Sequence, residues 1–114
     1  MSIPSAADLF EHMRDAASQA LAYIEGLAKE DFLADRRTQQ AVTLNLIVLG
    51  EAATKLMDRH AELIADYPQI EWQAMRGMRN RIAHGYYEID LDVVWDTVTL
   101  GLPELLQRLG ASNE

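Results

Sequence analysis

The segment from Ala41 to Ala53 restricts the fold of this chain more than any other, because apolar side chains occur on nearly every side of its predicted helix. A helix that is apolar all round must be buried all round. In a chain of 114 residues, this helix is therefore either central to the fold or covered on one face by a second subunit. Gly50 in the same segment predicts close backbone packing, since glycine otherwise costs a helix about 1 kcal/mol relative to alanine.

The remaining sequence also has helical periodicity. A first helix begins at a capping box formed by Ser5 and Asp8, and its apolar side chains recur every three or four residues: Leu9, Met13, Ala16, Ala20, Ile24 and Leu27. A break follows through Asp35, in which Phe32 and Leu33 are expected to pack onto the core.

Three further helices are predicted. The second runs from about residue 35 to about residue 65 and is stopped by Pro68, and the third runs from about 71 to 84 and ends at Gly85 in a left-handed cap. The fourth begins near Asp90, and Pro103 should kink or restart it. The pattern predicts an all-α protein, an antiparallel four- to five-helix bundle that forms one domain over residues 1–114.

Charge and composition exclude several classes of protein. The formal charge of −8 argues against a nonspecific nucleic-acid coat, although Arg76, Arg79 and Arg81 form a local cationic cluster. There is no cysteine, no histidine pair with metal-ligand spacing and no glycine-rich phosphate loop, so we expect no metal site and no cofactor. No apolar run approaches the ~20 residues that span a bilayer, and the N-terminus lacks a signal-peptide pattern. We therefore expect a cytoplasmic protein without a membrane partner.

The segment from Arg79 to Tyr86 contains the residues best suited to chemistry. Arginine binds phosphate through a planar fork of donors, and histidine transfers protons near neutral pH, so Arg79 and His84 suggest phosphodiester chemistry. At about 100° per residue, Asn80 and His84 lie opposite the apolar side of the third helix. Arg79 lies about 140° from His84, so the two meet only if the arginine stem wraps around the helix or His84 lies past its last regular turn.

A purely structural role for these residues is the alternative. Arginines on exposed helices commonly pair with nearby acids, and a histidine before a capping glycine can bond the last helical carbonyls. Glu51 follows Gly50 in a helix predicted to be buried, so its carboxylate needs a partner, either an arginine of the motif or an unrelated cation. His12 and His60 are weaker catalytic candidates because they have no adjacent partners in the sequence.

Three blocks of sequence resemble a known family. The spacing from Arg79 and Asn80 to His84 resembles the Arg-X4–6-His motif of HEPN ribonucleases, and Met78 to Tyr86 resembles the Arg-X4-His-X-Tyr signature of the HepT family. The stretch from Asn45 to Ala52 is similar to the second-helix pattern of that family. The stretch from Asp90 to Trp95, followed by Leu102 and Pro103, is similar to its last helix. The resemblance covers roughly residues 35 to 110.

The resemblance implies that this chain is the toxin of a type VII-like toxin–antitoxin pair. It also implies a metal-independent endoribonuclease that forms a homodimer, in which the two motifs face one another across a shared cleft. It implies that Arg79 holds the scissile phosphate, that His84 is the acid or base, that Asn80 supports them, and that the product is a 2′,3′-cyclic phosphate. The implied antitoxin is a MntA-like nucleotidyltransferase that silences the toxin by transferring AMP onto Tyr86, for which stacking or packing is the alternative role. The alternative for the whole protein is a non-catalytic helical module that binds a nucleotidyltransferase.

Overall fold

Seven α-helices and no β-strand make up residues 3–110, the part of the chain that the computed structural model describes. The ends of the predicted domain, residues 1–2 and 111–114, lie outside the described residues. The helices are α1 (Ala6–Ile24), α2 (Lys29–Leu33), α3 (Arg36–Arg59), α4 (Ala61–Ile64), α5 (Trp72–His84), α6 (Leu91–Asp96) and α7 (Leu102–Leu109). The all-α prediction is confirmed. None of the described helices is long and apolar enough to cross a lipid bilayer.

The first helix begins where its capping box predicts. The Ser5 hydroxyl accepts a hydrogen bond from the backbone N–H of Asp8, and the Asp8 carboxylate accepts one from the N–H of Ser5, both at 3.1 Å. The apolar stripe of α1 is buried, and only Leu27, beyond the end of the helix, stays partly exposed. Phe32 of α2 is fully buried and its ring lies 5.4 Å from that of Trp95, whereas Leu33 is exposed, contrary to prediction.

Helix α3 is central, since it packs against both α1 and α5. It is not buried all round, however, because Leu44 is 60% exposed and Val48 is 40% exposed. The neighbouring helices cover two of its faces and leave a third in contact with solvent. The prediction of complete burial is therefore wrong for the single chain, and cover by a second subunit stays a prediction.

The second predicted helix, 35–65, is interrupted before its predicted end. Helix α3 ends at Arg59, and the backbone of His60 leaves the helical region with φ −135° and ψ 45°. The chain then turns through α4, which allows Ile70 to be buried and the Tyr67 ring to lie 5.1 Å from that of Phe10. Burial of Ile70 and packing of the partly buried Tyr67 against the core, rather than Pro68, explain where the long helix stops.

The fourth predicted helix is continuous but irregular. Helices α6 and α7 are joined by a π-helical turn over residues 97–101, which ends two positions before Pro103. Proline donates no backbone hydrogen bond and its ring clashes with the carbonyl four residues earlier, so a wider turn accommodates it. Pro103 thus perturbs the helix as predicted, and it does so without ending it.

Candidate active site

Helix α5 presents its polar residues to solvent and its apolar residues to the core. Ile82 is buried, and Met75 and Met78 pack against the core from the edge. Asn80 and His84 are exposed on the opposite side. The prediction that Asn80 and His84 lie opposite the apolar side of this helix is therefore confirmed.

Arg79 is held against α3 by a close approach of the two helices. A Cβ atom added to Gly50 would lie 2.5 Å from the Cβ of Arg79 and 2.7 Å from the carbonyl oxygen of Met75. Only a glycine fits at this point, which confirms the close backbone packing predicted at Gly50.

Two hydrogen bonds orient the Arg79 guanidinium. One of its terminal nitrogens donates to Glu51 Oε1 at 3.0 Å, and its Nε donates to Asn80 Oδ1 at 3.0 Å. Glu51 is exposed rather than buried as expected, and its partner is an arginine of the motif. Asn80 contacts Arg79, and within the described residues it makes no hydrogen bond to His84.

The predicted cationic cluster is partly neutralised by acids. Arg76 forms an ion pair with Asp58 at 2.7 Å, in addition to the pair between Arg79 and Glu51. Among residues 3–110, Arg81 has no ion-pair partner. The pairing with acids that the structural alternative expects is thus present at two of the three arginines, and Arg81 remains available to an anion.

His84 is the last residue of α5 and borders a cavity of about 420 Å³. Arg81, Glu88 and Asp90 also line this cavity, and Arg79 does not. No hydrogen bond in the described part of the chain joins His84 to Arg79, in agreement with their predicted angular separation. His84 is the last residue of the helix, as its predicted bounds place it, so the condition in which His84 lies past the last regular turn is not met. A single chain therefore places the two motif residues on different flanks of α5.

The chain leaves α5 through a short turn that carries two tyrosines. Gly85 has φ −158°, which is extended rather than left-handed, so the predicted left-handed cap is wrong. The chain does not reverse at Gly85 but enters a 3₁₀ turn over Tyr86–Glu88, closed by a hydrogen bond from the Glu88 N–H to the Gly85 carbonyl at 2.9 Å. Tyr86 is half-buried against the core, and Tyr87 is exposed.

Other candidate residues lie elsewhere. His12 is exposed on α1, His60 lies at the end of α3, and neither lines the cavity beside His84. In residues 3–110 no group of three or more histidine and acidic side chains has the geometry of a metal site. Glu88, which borders the cavity, was not singled out from the sequence, where its only signal is its short distance from His84. Asp90, predicted as the start of the fourth helix, caps α6 by accepting hydrogen bonds from the backbone N–H groups of Asp92 and Val93.

Comparison with known proteins identifies related sequences over most of the chain. A model of the family described as "Ribonuclease HepT-like" matches residues 13–111. The protein named "Putative RNase MJ0127", from Methanocaldococcus jannaschii, is 30% identical over 102 residues, which cover 90% of this chain and 78% of the relative. The "Probable ribonuclease HepT" of Thermococcus cleftensis is 33% identical over 98 residues, which cover 86% of each chain. No solved structure matches the chain significantly.

Proposed function

This chain belongs to the HepT-like ribonuclease family, and from this premise we propose that it is an endoribonuclease and the toxin of a toxin–antitoxin pair acting in the cytoplasm. The observation that carries the proposal is the family match across residues 13–111, which includes the motif from Arg79 to Tyr86. The exposure of His84 beside a cavity supports it, because a general acid or base must be within reach of the substrate.

The proposed reaction is metal-independent and uses the ribose of the substrate as the nucleophile. His84 removes the proton from a ribose 2′-hydroxyl, whose oxygen attacks the adjacent phosphorus. The bond between phosphorus and the 5′-oxygen breaks, a protonated histidine donates a proton to that oxygen, and a 2′,3′-cyclic phosphate remains. The Arg79 guanidinium stabilises the charge that builds on the phosphoryl oxygens, and Asn80, bonded to its Nε, keeps it oriented.

A homodimer would bring these residues together, and the exposed face of α3 supports one. Leu44 and Val48 are four residues apart and Glu51 follows three residues later, so the three lie along one side of the helix. A second copy bound to this apolar strip would lie next to the pair between Glu51 and Arg79. The proposed twofold cleft then contains two arginines and two histidines, which provides both an acid and a base.

We further propose that a MntA-like nucleotidyltransferase antitoxin transfers AMP onto Tyr86. Tyr86 is two residues from His84, and part of its side chain reaches solvent. An AMP group there would add bulk and negative charge close to the position proposed for the scissile phosphate, and it would repel that phosphate. The modified protein is therefore expected to be inactive.

Cleavage of RNA by the purified protein in excess chelator tests the catalytic proposal. The wild type and His12→Ala should cut a single-stranded RNA, and His84→Ala should not. His12→Ala is the matched control because it removes another exposed histidine, on α1. Loss of cleavage on chelation, or full cleavage by His84→Ala, would contradict the proposed mechanism.

Intact mass of the protein made with and without the nucleotidyltransferase tests the regulation. A gain of one or more AMP units that is absent from Tyr86→Phe and present in Tyr87→Phe is expected, with cleavage only by the unmodified form. No mass gain and no cleavage by either form would instead favour the non-catalytic partner-binding module.

A further inference from the structure

Tyr87 is the most exposed large side chain of the turn that follows the motif. Its relative exposure is 88%, the highest among the exposed large hydrophobic side chains of residues 3–110. Its hydroxyl makes no hydrogen bond within the described part of the chain, so the ring is not held there by a polar contact of its own. Nearly the whole aromatic surface is therefore open to a ligand.

The position of the ring is nevertheless defined by the turn. The Glu88 N–H donates to the Gly85 carbonyl at 2.9 Å and the Ile89 N–H donates to the Tyr86 carbonyl at 3.3 Å. The Tyr87 ring meets the half-buried Tyr86 ring at a centroid distance of 5.7 Å and an angle of 75°, an edge-to-face contact. Tyr87 thus lies on a short turn that is closed by its own backbone hydrogen bonds, and the adjacent Tyr86 side chain anchors this turn to the core.

The net charge of this protein does not favour RNA binding, and in the arginine cluster only Arg81 has no ion-pair partner among residues 3–110. The chain has a formal charge of −8, and the guanidinium groups of Arg76 and Arg79 are already paired with Asp58 and Glu51. Binding of a polyanion then depends more strongly on contacts that do not involve charge. Stacking of an unpaired base on an exposed aromatic ring contributes about 1–3 kcal/mol per base and is tolerant of sequence.

We infer that Tyr87 is a stacking subsite for one unpaired nucleobase next to the cleaved phosphodiester, so that the substrate is single-stranded at this point. Tyr87 lies three positions after His84, which limits the distance between their Cα atoms to about 11 Å. A base that is paired and stacked inside a helix does not expose its face to a protein ring, whereas an unpaired base does. This inference rests on the proposed ribonuclease function.

Binding without cleavage isolates the contribution of the ring. The full-length protein carrying His84→Ala is titrated into a fluorescein-labelled single-stranded oligoribonucleotide that the wild type cuts, and anisotropy gives Kd. Adding Tyr87→Ala should raise Kd about 5- to 150-fold, the equivalent of about 1–3 kcal/mol at about 1.4 kcal/mol per tenfold. Tyr87→Phe should stay within about twofold, because stacking uses the ring and not the hydroxyl. Tyr23→Ala, which removes an exposed tyrosine from α1, should have no effect.

Removing single bases from the RNA identifies the partner of the ring. Abasic nucleotides are placed one at a time along the oligonucleotide, and the effect of Tyr87→Ala should vanish at one position next to the cleaved bond. The inference would be overturned if Tyr87→Ala did not change Kd, or if it weakened binding equally with an abasic nucleotide at every position. In both cases the wild type would still cut RNA, so the proposed function would stand. A loss of self-association in Tyr87→Ala with unchanged Kd for RNA would overturn it too, in favour of a protein contact. A wild type that neither binds nor cuts RNA would overturn the proposed function itself.

Discussion

Replacement of Gly50 by alanine should destabilise the protein, even though alanine is the better helix former. The added methyl group would lie 2.5 Å from the Cβ of Arg79 and 2.7 Å from the carbonyl oxygen of Met75. Carbon atoms that are not bonded approach favourably only to about 3.5–4.0 Å. Both obstacles belong to the backbone or the first carbon of a side chain, so neither can rotate away. Helices α3 and α5 must therefore separate by about 1 Å.

The expected decrease in the free energy of unfolding follows from two opposing effects. Overpacking of a close contact costs about 1–3 kcal/mol, and glycine to alanine in a helix gains about 1 kcal/mol. Because the obstacles are rigid, the upper part of the first range applies and the free energy of unfolding should fall by about 1–2 kcal/mol. With an unfolding entropy of about 2 cal/mol/K per residue, Tm falls by roughly 4–8 °C. Displacement of Arg79 by about 1 Å should also lower RNA cleavage by up to about 100-fold.

Thermal unfolding followed by circular dichroism, at one protein concentration, measures this effect. The matched control is Gly77→Ala within α5, where the added Cβ would meet only a terminal nitrogen of Arg81, at an ordinary 3.5 Å. That variant should gain about 0.5–1 kcal/mol, or roughly 2–4 °C in Tm. If Gly50→Ala were as stable as Gly77→Ala, the close approach of α3 and α5 at this point would be refuted.

The remaining predictions concern the α3 cap, the exposed strip and the motif arginine. The Thr38 hydroxyl donates to the Asp35 carboxylate at 2.7 Å and holds the pKa of that carboxyl below its ordinary value. The ionised carboxylate therefore stabilises the folded protein above about pH 4, and this stabilisation is lost as the pH falls further. The difference in Tm between wild type and Asp35→Ala should thus be constant above about pH 5 and shrink below about pH 4; a constant difference down to pH 3 would contradict this. Sedimentation should show a dimer for the wild type and for Leu63→Glu, an exposed site on α4, but a monomer for Leu44→Glu; a dimer of Leu44→Glu would exclude the α3 strip as the interface. Lysine cannot reproduce both hydrogen bonds of Arg79, so Arg79→Lys should lower kcat/KM about 100-fold, and a change of less than about threefold would remove Arg79 from the catalytic set.

Local features of the structure were predictable from the sequence because they depend on near neighbours along the chain. The capping box at Ser5, the burial of the α1 stripe and the exposure of His84 all follow from helical spacing. The perturbation at Pro103 follows from the missing N–H of proline. The close approach at Gly50 could be predicted because glycine within a buried helix otherwise only weakens it.

Features that depend on distant parts of the chain were not predictable in the same way. Helical periodicity does not say how many neighbours cover an apolar helix, so the exposure of Leu44 and Val48 appeared only in the structure. The break at His60 depends on the burial of Ile70 and on the packing of Tyr67 against the core, and neither effect is visible in the residues around position 60. The pairing of Arg76 with Asp58 likewise joins residues 18 positions apart.

Cleavage of an RNA that carries one 2′-deoxynucleotide tests the central claim most directly. The position cut by the wild type is first mapped in the all-ribose RNA, and the deoxy sugar is then placed immediately 5′ of that bond, in the presence of excess chelator. The proposed mechanism predicts a 2′,3′-cyclic phosphate from the ribose RNA and no cleavage at the deoxy position, because the attacking hydroxyl is missing. Cleavage that persists at the deoxy position would contradict the proposed mechanism, in which His84 activates the 2′-hydroxyl.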